Sequence, residues 1–188
     1  AQCLVGSEMC IRDRESVEQH KVTRLSAIPT VLTALLNHPD LEKYDLSSIR
    51  MISYSTCPMP PELILRAREK FHCEFQQSYG MTEMSSIVTI LSTEDHFRDN
   101  MRYLDSVGKP IAGHQVRIVD ENGQECETGQ VGEICVRGPG MMVDYYRMPE
   151  ATAEAVVDGW YHTRDVGYLD EAGYLYVRGR KNDMIISC

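Results

Sequence analysis

Gln77-Ser78-Tyr79-Gly80-Met81-Thr82-Glu83 follows a short strand-like run and places an aromatic ring, a glycine, a hydroxyl and a carboxylate within five residues. Gly80 permits either a positive φ or a tight backbone approach. Thr82 can donate to a phosphate oxygen, Glu83 can hold Mg2+ through oxygen, and Tyr79 offers a flat face to a base. These are groups that a nucleotide site uses. Read alone, the stretch is better taken as an ordinary polar strand-to-helix loop, because short motifs acquire meaning only from their structural context.

That context builds outward on both sides. Residues 23–28 read as a short buried strand, and Pro29 then opens a helix with Val31, Leu32, Leu35 and Leu36 on one face, closed by His38-Pro39. Residues 50–54 read as a second strand, and Pro60-Pro61-Glu62 opens a helix that turns Leu63, Ile64, Ala67 and Phe71 inward. A third strand covers residues 73–77. Strands alternating with helices of about ten residues predict βαβ units, an α/β fold built as part of a doubly wound, mostly parallel sheet. Ligands of such sheets sit beyond the carboxyl ends of the strands, where Ser55-Thr56-Cys57-Pro58 and Tyr79 to Glu83 fall.

Residues 85–91 read as one more strand, and the polar run 92–105 as an exposed connection. The pattern then changes. Residues 116–119 and 132–137 flank an Asp120-Glu121-Asn122-Gly123 turn signal, residues 149–157 a short helix, and residues 166–169 and 174–178 two strands around Asp170-Glu171-Ala172-Gly173. This half is expected to be a β-rich, antiparallel, barrel-like subdomain. The expected organisation is therefore an α/β subdomain over 15–92, a connection over 93–104, a β-rich subdomain over 105–182, and a hinge with the start of a further domain over 183–188. Residues 1–14 show no period continuous with the chain from Glu15 onward, resemble adapter read-through, and are set aside as non-native.

Composition narrows the function classes. A chain of 188 residues with 43% apolar residues can bury a proper core. A net charge of −9 argues against nucleic acid or an anionic membrane surface as the main partner, so any phosphate site must be local. Seven cysteines without a CxxC pair indicate neither a disulfide framework nor a zinc site, and reduced, cytoplasmic thiols are expected. No apolar run approaches the roughly 20 residues that span a bilayer. The six histidines form no HxxxH or Ser/His/Asp grouping. His162-Thr163-Arg164-Asp165, with Arg180 fifteen residues after Asp165, could hold a nucleoside: a carboxylate accepts from vicinal hydroxyls and an arginine donates to sugar or phosphate. A strand-end acid and a surface charge are the plain alternative. Gly138-Pro139-Gly140 reads as a bend, and Met141, Met142, Tyr145 and Tyr146 as core.

Taken in order, residues 77–83, 129–139, 159–167 and 173–183 closely resemble the adenylate-forming superfamily, which includes acyl-CoA synthetases, luciferases and the adenylation domains of peptide synthetases. The resemblance runs from Glu15 to Cys188. It implies activation of a carboxylic acid, fatty or related, as an acyl-adenylate with ATP, followed by transfer to coenzyme A. It further implies that Tyr79 stacks on adenine, that Thr82 and Glu83 act at the reacting phosphate with Glu83 on Mg2+, and that Asp165 and Arg180 bind ribose with Val177 beside them. Gln77, Ser78, Gly80 and the Ser55-Thr56-Cys57 turn would border ATP or AMP, and Asn182 would sit at the hinge. An adenylation domain of a peptide synthetase, or an inactive nucleotide-binding fragment, is the alternative. Ser55, Thr56, Ser78, Arg164 and Cys188 stand where the family favours glycine, and Asn182 where aspartate or lysine is commoner.

The family's phosphate loop and its catalytic lysine have no counterpart in these 188 residues, which read as an internal piece of the large domain. The chain alone is therefore expected to show no carboxylate-dependent pyrophosphate exchange. Detectable exchange by the purified chain would overturn that expectation.

Overall fold

The computed structural model of the chain describes residues 7–55 and 59–181, with side chains from Arg14 onward. The elements follow as α1 (Ser7–His20), β1 (Arg24–Ser26), α2 (Pro29–Leu36), β2 (Met51–Ser55), α3 (Pro61–Phe71), β3 (Glu74–Tyr79), β4 (Thr89–Leu91), α4 (Thr93–Phe97), β5 (Lys109–Pro110), β6 (Gln115–Val119), β7 (Gly132–Arg137), α5 (Pro149–Ala155), β8 (Val156–Val157), β9 (Trp160–Leu169) and β10 (Leu175–Arg180). Two compact units result: Ala1–Gln77 with Ser92–Leu104, and Ser78–Leu91 with Asp105–Cys188.

In the first unit β1 and β2 are parallel, with Leu25 opposite Ile52, and the strand order is β1-β2-β3. Proline opens both α2 and α3, where its missing N–H costs nothing and its fixed φ suits the first turn. Of the expected inward residues, Leu32 and Leu35 on α2 are buried while Val31 and Leu36 are only partly so, and Leu63, Ile64, Ala67 and Phe71 on α3 are all buried. The latter recur at helical spacing, and α3 ends where His72 turns left-handed at φ 51°. Ile52, Tyr54 and Phe75 complete this core. Each such side chain contributes about 1.5–3 kcal/mol by leaving water. Residues 7–14 belong to α1, and Arg14 is buried with its guanidinium 5.4 Å from the Tyr44 ring centre.

The run 92–105 departs from the expected exposed connection. Ser92 caps α4 by accepting from the Asp95 amide at 3.2 Å, and His96 is fully buried. Its Nδ1 lies 2.6 Å from the Ser92 carbonyl and its Nε2 2.9 Å from the Tyr54 hydroxyl. A carbonyl only accepts, so Nδ1 carries the proton and Nε2 accepts from Tyr54. The polar composition of this run conceals one satisfied core imidazole.

In the second unit β4 and β5 pair antiparallel. The larger sheet is antiparallel in the order β10-β9-β7-β6, with β8 also paired to β9. β6 and β10 do not pair among the described residues, so the sheet is open; the barrel-like expectation is corrected here. Met84, Val88, Ile118, Ile134, Val136, Tyr161 and Leu175 form its core. The Asp170 carboxylate closes the β9–β10 turn by accepting from the amides of Ala172 and Tyr174 at 2.9 and 2.8 Å, and Gly173 takes φ 80°. Cys73 and Cys135 are buried free thiols whose pKa values burial pushes up to about 11, which leaves them unreactive.

Several boundaries shift. β3 runs on to Tyr79, β4 starts only at Thr89, and β9 begins at Trp160 instead of the expected 166 and so takes in His162 to Asp165. Strand β9 tolerates this polar run because one side of it lines a cleft.

His96 supplies a test. Burial holds its pKa below the usual histidine range. The unfolded chain takes up that proton near pH 6.5 and the folded chain only lower, so acidification favours unfolding. Stability to urea is expected to be full above pH 6.5 and to fall progressively below it. In His96→Gln the difference between pH 7.5 and 5.5 should shrink, and an unchanged difference would assign the loss to other groups.

Candidate functional site

The loop after β3 is set by one close approach. A Cβ on Gly80 would lie 1.6 Å from the Ser86 carbonyl oxygen, so close packing, not a positive φ, is why glycine stands there. The Ser86 amide donates to Met81 at 3.1 Å and the Val88 amide to Tyr79 at 2.8 Å, which folds the segment back on itself. Thr82–Met84 form a single 3-10 turn. Ser85 and Ser86 are left-handed, at φ 54° and 107°, which is why no strand forms before Thr89. Gly138 to Met142 brace the turn from outside: the Met142 amide donates to the Glu83 carbonyl at 2.6 Å and the Ser85 hydroxyl to the Gly140 carbonyl at 2.7 Å. A Cβ on Gly140 would stand 2.8 Å from the Met84 carbonyl oxygen.

A cleft of about 530 Å³ in this unit is lined by Gly80, Glu83, Tyr145, Tyr161, Asp165 and Arg180, among others. Asp165, with its side chain 13% exposed, accepts from the Tyr79 hydroxyl at 2.7 Å and pairs with Arg180 Nε at 3.3 Å. The fifteen-residue separation of Asp165 and Arg180 is the β9–turn–β10 hairpin, whose register sets the two opposite each other. Two carboxylate oxygens offer about four lone-pair positions; Tyr79 and Arg180 use two, and the others remain for ligand hydroxyls.

Glu83 also lines the cleft and accepts from the Tyr145 hydroxyl at 2.8 Å; the Tyr145 and Tyr161 hydroxyls are 3.3 Å apart. Burial raises the Glu83 pKa, but its backbone hydrogen bond and those from Tyr145 and Tyr161 outweigh it and leave the group below the usual range. Glu83 is therefore a carboxylate at neutral pH. Burial first, then the charge of Asp165, pushes the Tyr79 phenol up, so it stays a donor.

The cleft collects Gly80, Glu83, Asp165 and Arg180 from the expected residues, with Tyr79 bonded to Asp165. Thr82 is exposed on the turn, and Val177 packs against the sheet core. Gln77 is buried in β3 with Oε1 unbonded among the described residues, Ser78 is half-buried, and Ser55 ends β2, exposed. Thr56, Cys57 and Asn182 lie outside the described residues. The sequence reading missed Tyr145 and Tyr161. Met141 and Met142 do pack against the core, but Tyr145 turns its hydroxyl to Glu83 and Tyr146 is 79% exposed. Nothing in the run Met141-Met142-Val143-Asp144-Tyr145-Tyr146 marks which phenol turns inward.

The cleft thus presents an acid ready for vicinal hydroxyls, an arginine, and a separate ionised carboxylate. Comparison with known proteins agrees with a nucleotide-using class. The profile of the family described as AMP-binding enzyme matches residues 3–146. The chain is 36% identical over 171 residues to a medium/long-chain-fatty-acid–CoA ligase of Mycobacterium tuberculosis, covering 91% of this chain and 29% of that protein. It is 40% identical over 172 residues to the 2-succinylbenzoate–CoA ligase of Bacillus subtilis, covering 92% and 34%. The solved O-succinylbenzoate coenzyme A synthetase of Bacillus subtilis, in complex with ATP and magnesium ion, matches with a TM-score of 0.82 at 38% identity, over 95% of this chain and 36% of that one. The chain belongs to the AMP-binding enzyme family, the adenylate-forming group its motifs resemble. It spans about a third of the length of these relatives.

Gly80→Ala tests the loop geometry. The added methyl group must displace the Ser86 carbonyl, and overpacking of this kind costs about 1–3 kcal/mol. A lower urea midpoint with an unchanged slope is expected; an unchanged midpoint would mean the loop yields freely.

Proposed function

We propose that this chain forms part of an ATP-dependent acyl-CoA synthetase. In this reading a carboxylate oxygen of the acid attacks the α-phosphorus of ATP, giving an acyl-adenylate and releasing pyrophosphate. The thiol of coenzyme A then takes the acyl group and AMP leaves. A fatty or related acid is the substrate class, supported by the names of the relatives above. Those names also favour an acyl-CoA synthetase over a peptide-synthetase adenylation domain. The setting is taken to be the cytoplasm; no helix among the described residues is long and apolar enough to cross a membrane.

The observation that carries this reading is the pairing of Asp165 with Tyr79 and Arg180 in a cleft that also holds an ionised Glu83. Asp165 accepts the two ribose hydroxyls through its remaining lone pairs, with Arg180 fixing its second oxygen. Tyr79, tied through its hydroxyl, lays its ring beside the base, and exposed Thr82 donates to phosphate. No group of three or more His, Cys, Asp or Glu residues could hold a metal among the described residues. That fits Mg2+, which takes one or two carboxylates and completes its shell with substrate phosphates and water. Glu83 would hold it, and the ion would offset phosphate charge during adenylation. Tyr145, with Tyr161 behind it, aims Glu83 into the cleft.

Calorimetric titration of the purified chain tests these roles. Asp165→Ala is expected to weaken AMP binding about tenfold or more, the loss of two charge-assisted hydrogen bonds. Glu83→Gln should remove the Mg2+ dependence of ATP binding and leave AMP binding nearly intact. Binding unaltered by both substitutions would refute the site assignment.

A further inference from the structure

Arg164 occupies a backbone conformation that favours glycine, at φ 61°, where the β7–β9 register shifts between Glu133 and Cys135. Its backbone is held on both sides: its amide donates to Glu133 Oε1 at 3.2 Å, and its carbonyl accepts from the Lys181 amide at 2.8 Å. The side chain lines the cleft and reaches α5, where Nη2 meets Glu154 Oε1 at 2.6 Å; Glu154 lines the cleft as well. Both partners are exposed, at 55% and 71%, so water screens the pair and it contributes little to folding. A strained arginine with an easily exchanged partner is poorly explained by stability alone.

The charges of the cleft give it a use. Glu83, Glu154 and Asp165 place three carboxylates on its walls, and Arg180 is already committed to Asp165. His162 lies beside Glu133, at 3.6 Å. A phosphate entering this cleft needs a cation that can be released to it, and Arg164 is the guanidinium whose present partner is solvent-exposed. We propose that Arg164 is a phosphate-binding residue for the nucleotide, held by Glu154 while the cleft is empty and exchanged onto the phosphate when nucleotide enters. This rests on the nucleotide reading of the cleft given above.

The test compares adenosine, AMP and ATP binding to the purified chain and to four variants. Arg164→Gly removes the cation and suits the backbone, so it should fold with an unfolding temperature equal to or above that of the parent. It should bind AMP and ATP about 5- to 10-fold more weakly while keeping adenosine within about twofold, and Arg164→Lys should recover part of the loss. Glu154→Gln removes the competitor and should tighten ATP binding about 2- to 3-fold. Unchanged ATP affinity in Arg164→Gly, or an equal loss for adenosine, overturns the proposal, as does unaltered ATP binding in Glu154→Gln. Asp165→Ala distinguishes the underlying reading: if it leaves adenosine binding unchanged, or if the parent chain binds no adenosine, the nucleotide assignment itself fails.

Discussion

The carbonyl oxygen of Ser86 occupies the space where a side chain at position 80 would begin. That contact is possible only with glycine, and much of the second unit follows from it. The chain leaves β3, closes on itself through the Met81–Ser86 hydrogen bond, and makes one 3-10 turn that sends Glu83 toward the cleft. The brace from Gly138 to Met142 then reads the Glu83 carbonyl and the Ser85 hydroxyl of this turn, so it depends on the same close approach. Tyr145 lies just past that brace, and its bond to Glu83 inherits the geometry.

Asp165 is fixed by a different device. It stands on β9 opposite Arg180 on β10, and the intervening Asp170–Gly173 turn sets the register. The bulge that admits Arg164 lets β9 break alternation where the carboxylate must face the cleft. The two walls therefore come from a loop held by sterics and a hairpin held by register. The hydroxyl of Tyr79 joins them at 2.7 Å from Asp165.

The fold was most legible where apolar residues recur at helical spacing between prolines and turns. Leu63, Ile64, Ala67 and Phe71 were placed inward on α3 for that reason and are buried. Gly80, Glu83, Asp165 and Arg180 were legible as candidates because their chemistry is unusual for a loop or a strand end. What could not be read depends on contacts distant in sequence. His96 lies in a polar run, and its Nε2 is satisfied in the core by Tyr54, 42 residues earlier. Tyr145 reads as core because it sits among large residues, and its partner Glu83 is 62 residues away. The barrel expectation failed for a similar reason: alternation along each strand predicts pairing but not whether the first and last strands meet.

Five described residues of the second unit take a positive φ without being glycine: Ser85, Ser86, Arg147, Asp158 and Arg164. Ser85 and Ser86 support the Glu83 turn, and Arg164 adjoins Asp165; all three are left-handed without being glycine. Each such residue costs about 1–2 kcal/mol. The sheet beneath them holds Ile134, Val136 and Leu175 with no exposure at all, and each of those side chains contributes about 1.5–3 kcal/mol. A well-packed layer thus offsets the strain of the segments that carry Glu83 and Asp165. Strain persists only where surrounding structure over-determines it, and here the determining contacts are backbone hydrogen bonds from Met142 to Glu83 and from Lys181 to Arg164. Replacing the strained side chains would leave those bonds in place, whereas breaking the bonds would release the loops. The orientation of Glu83 and Asp165 therefore rests on main-chain bracing together with the hydroxyls of Ser85, Tyr145 and Tyr79, and at Gly80 on sterics.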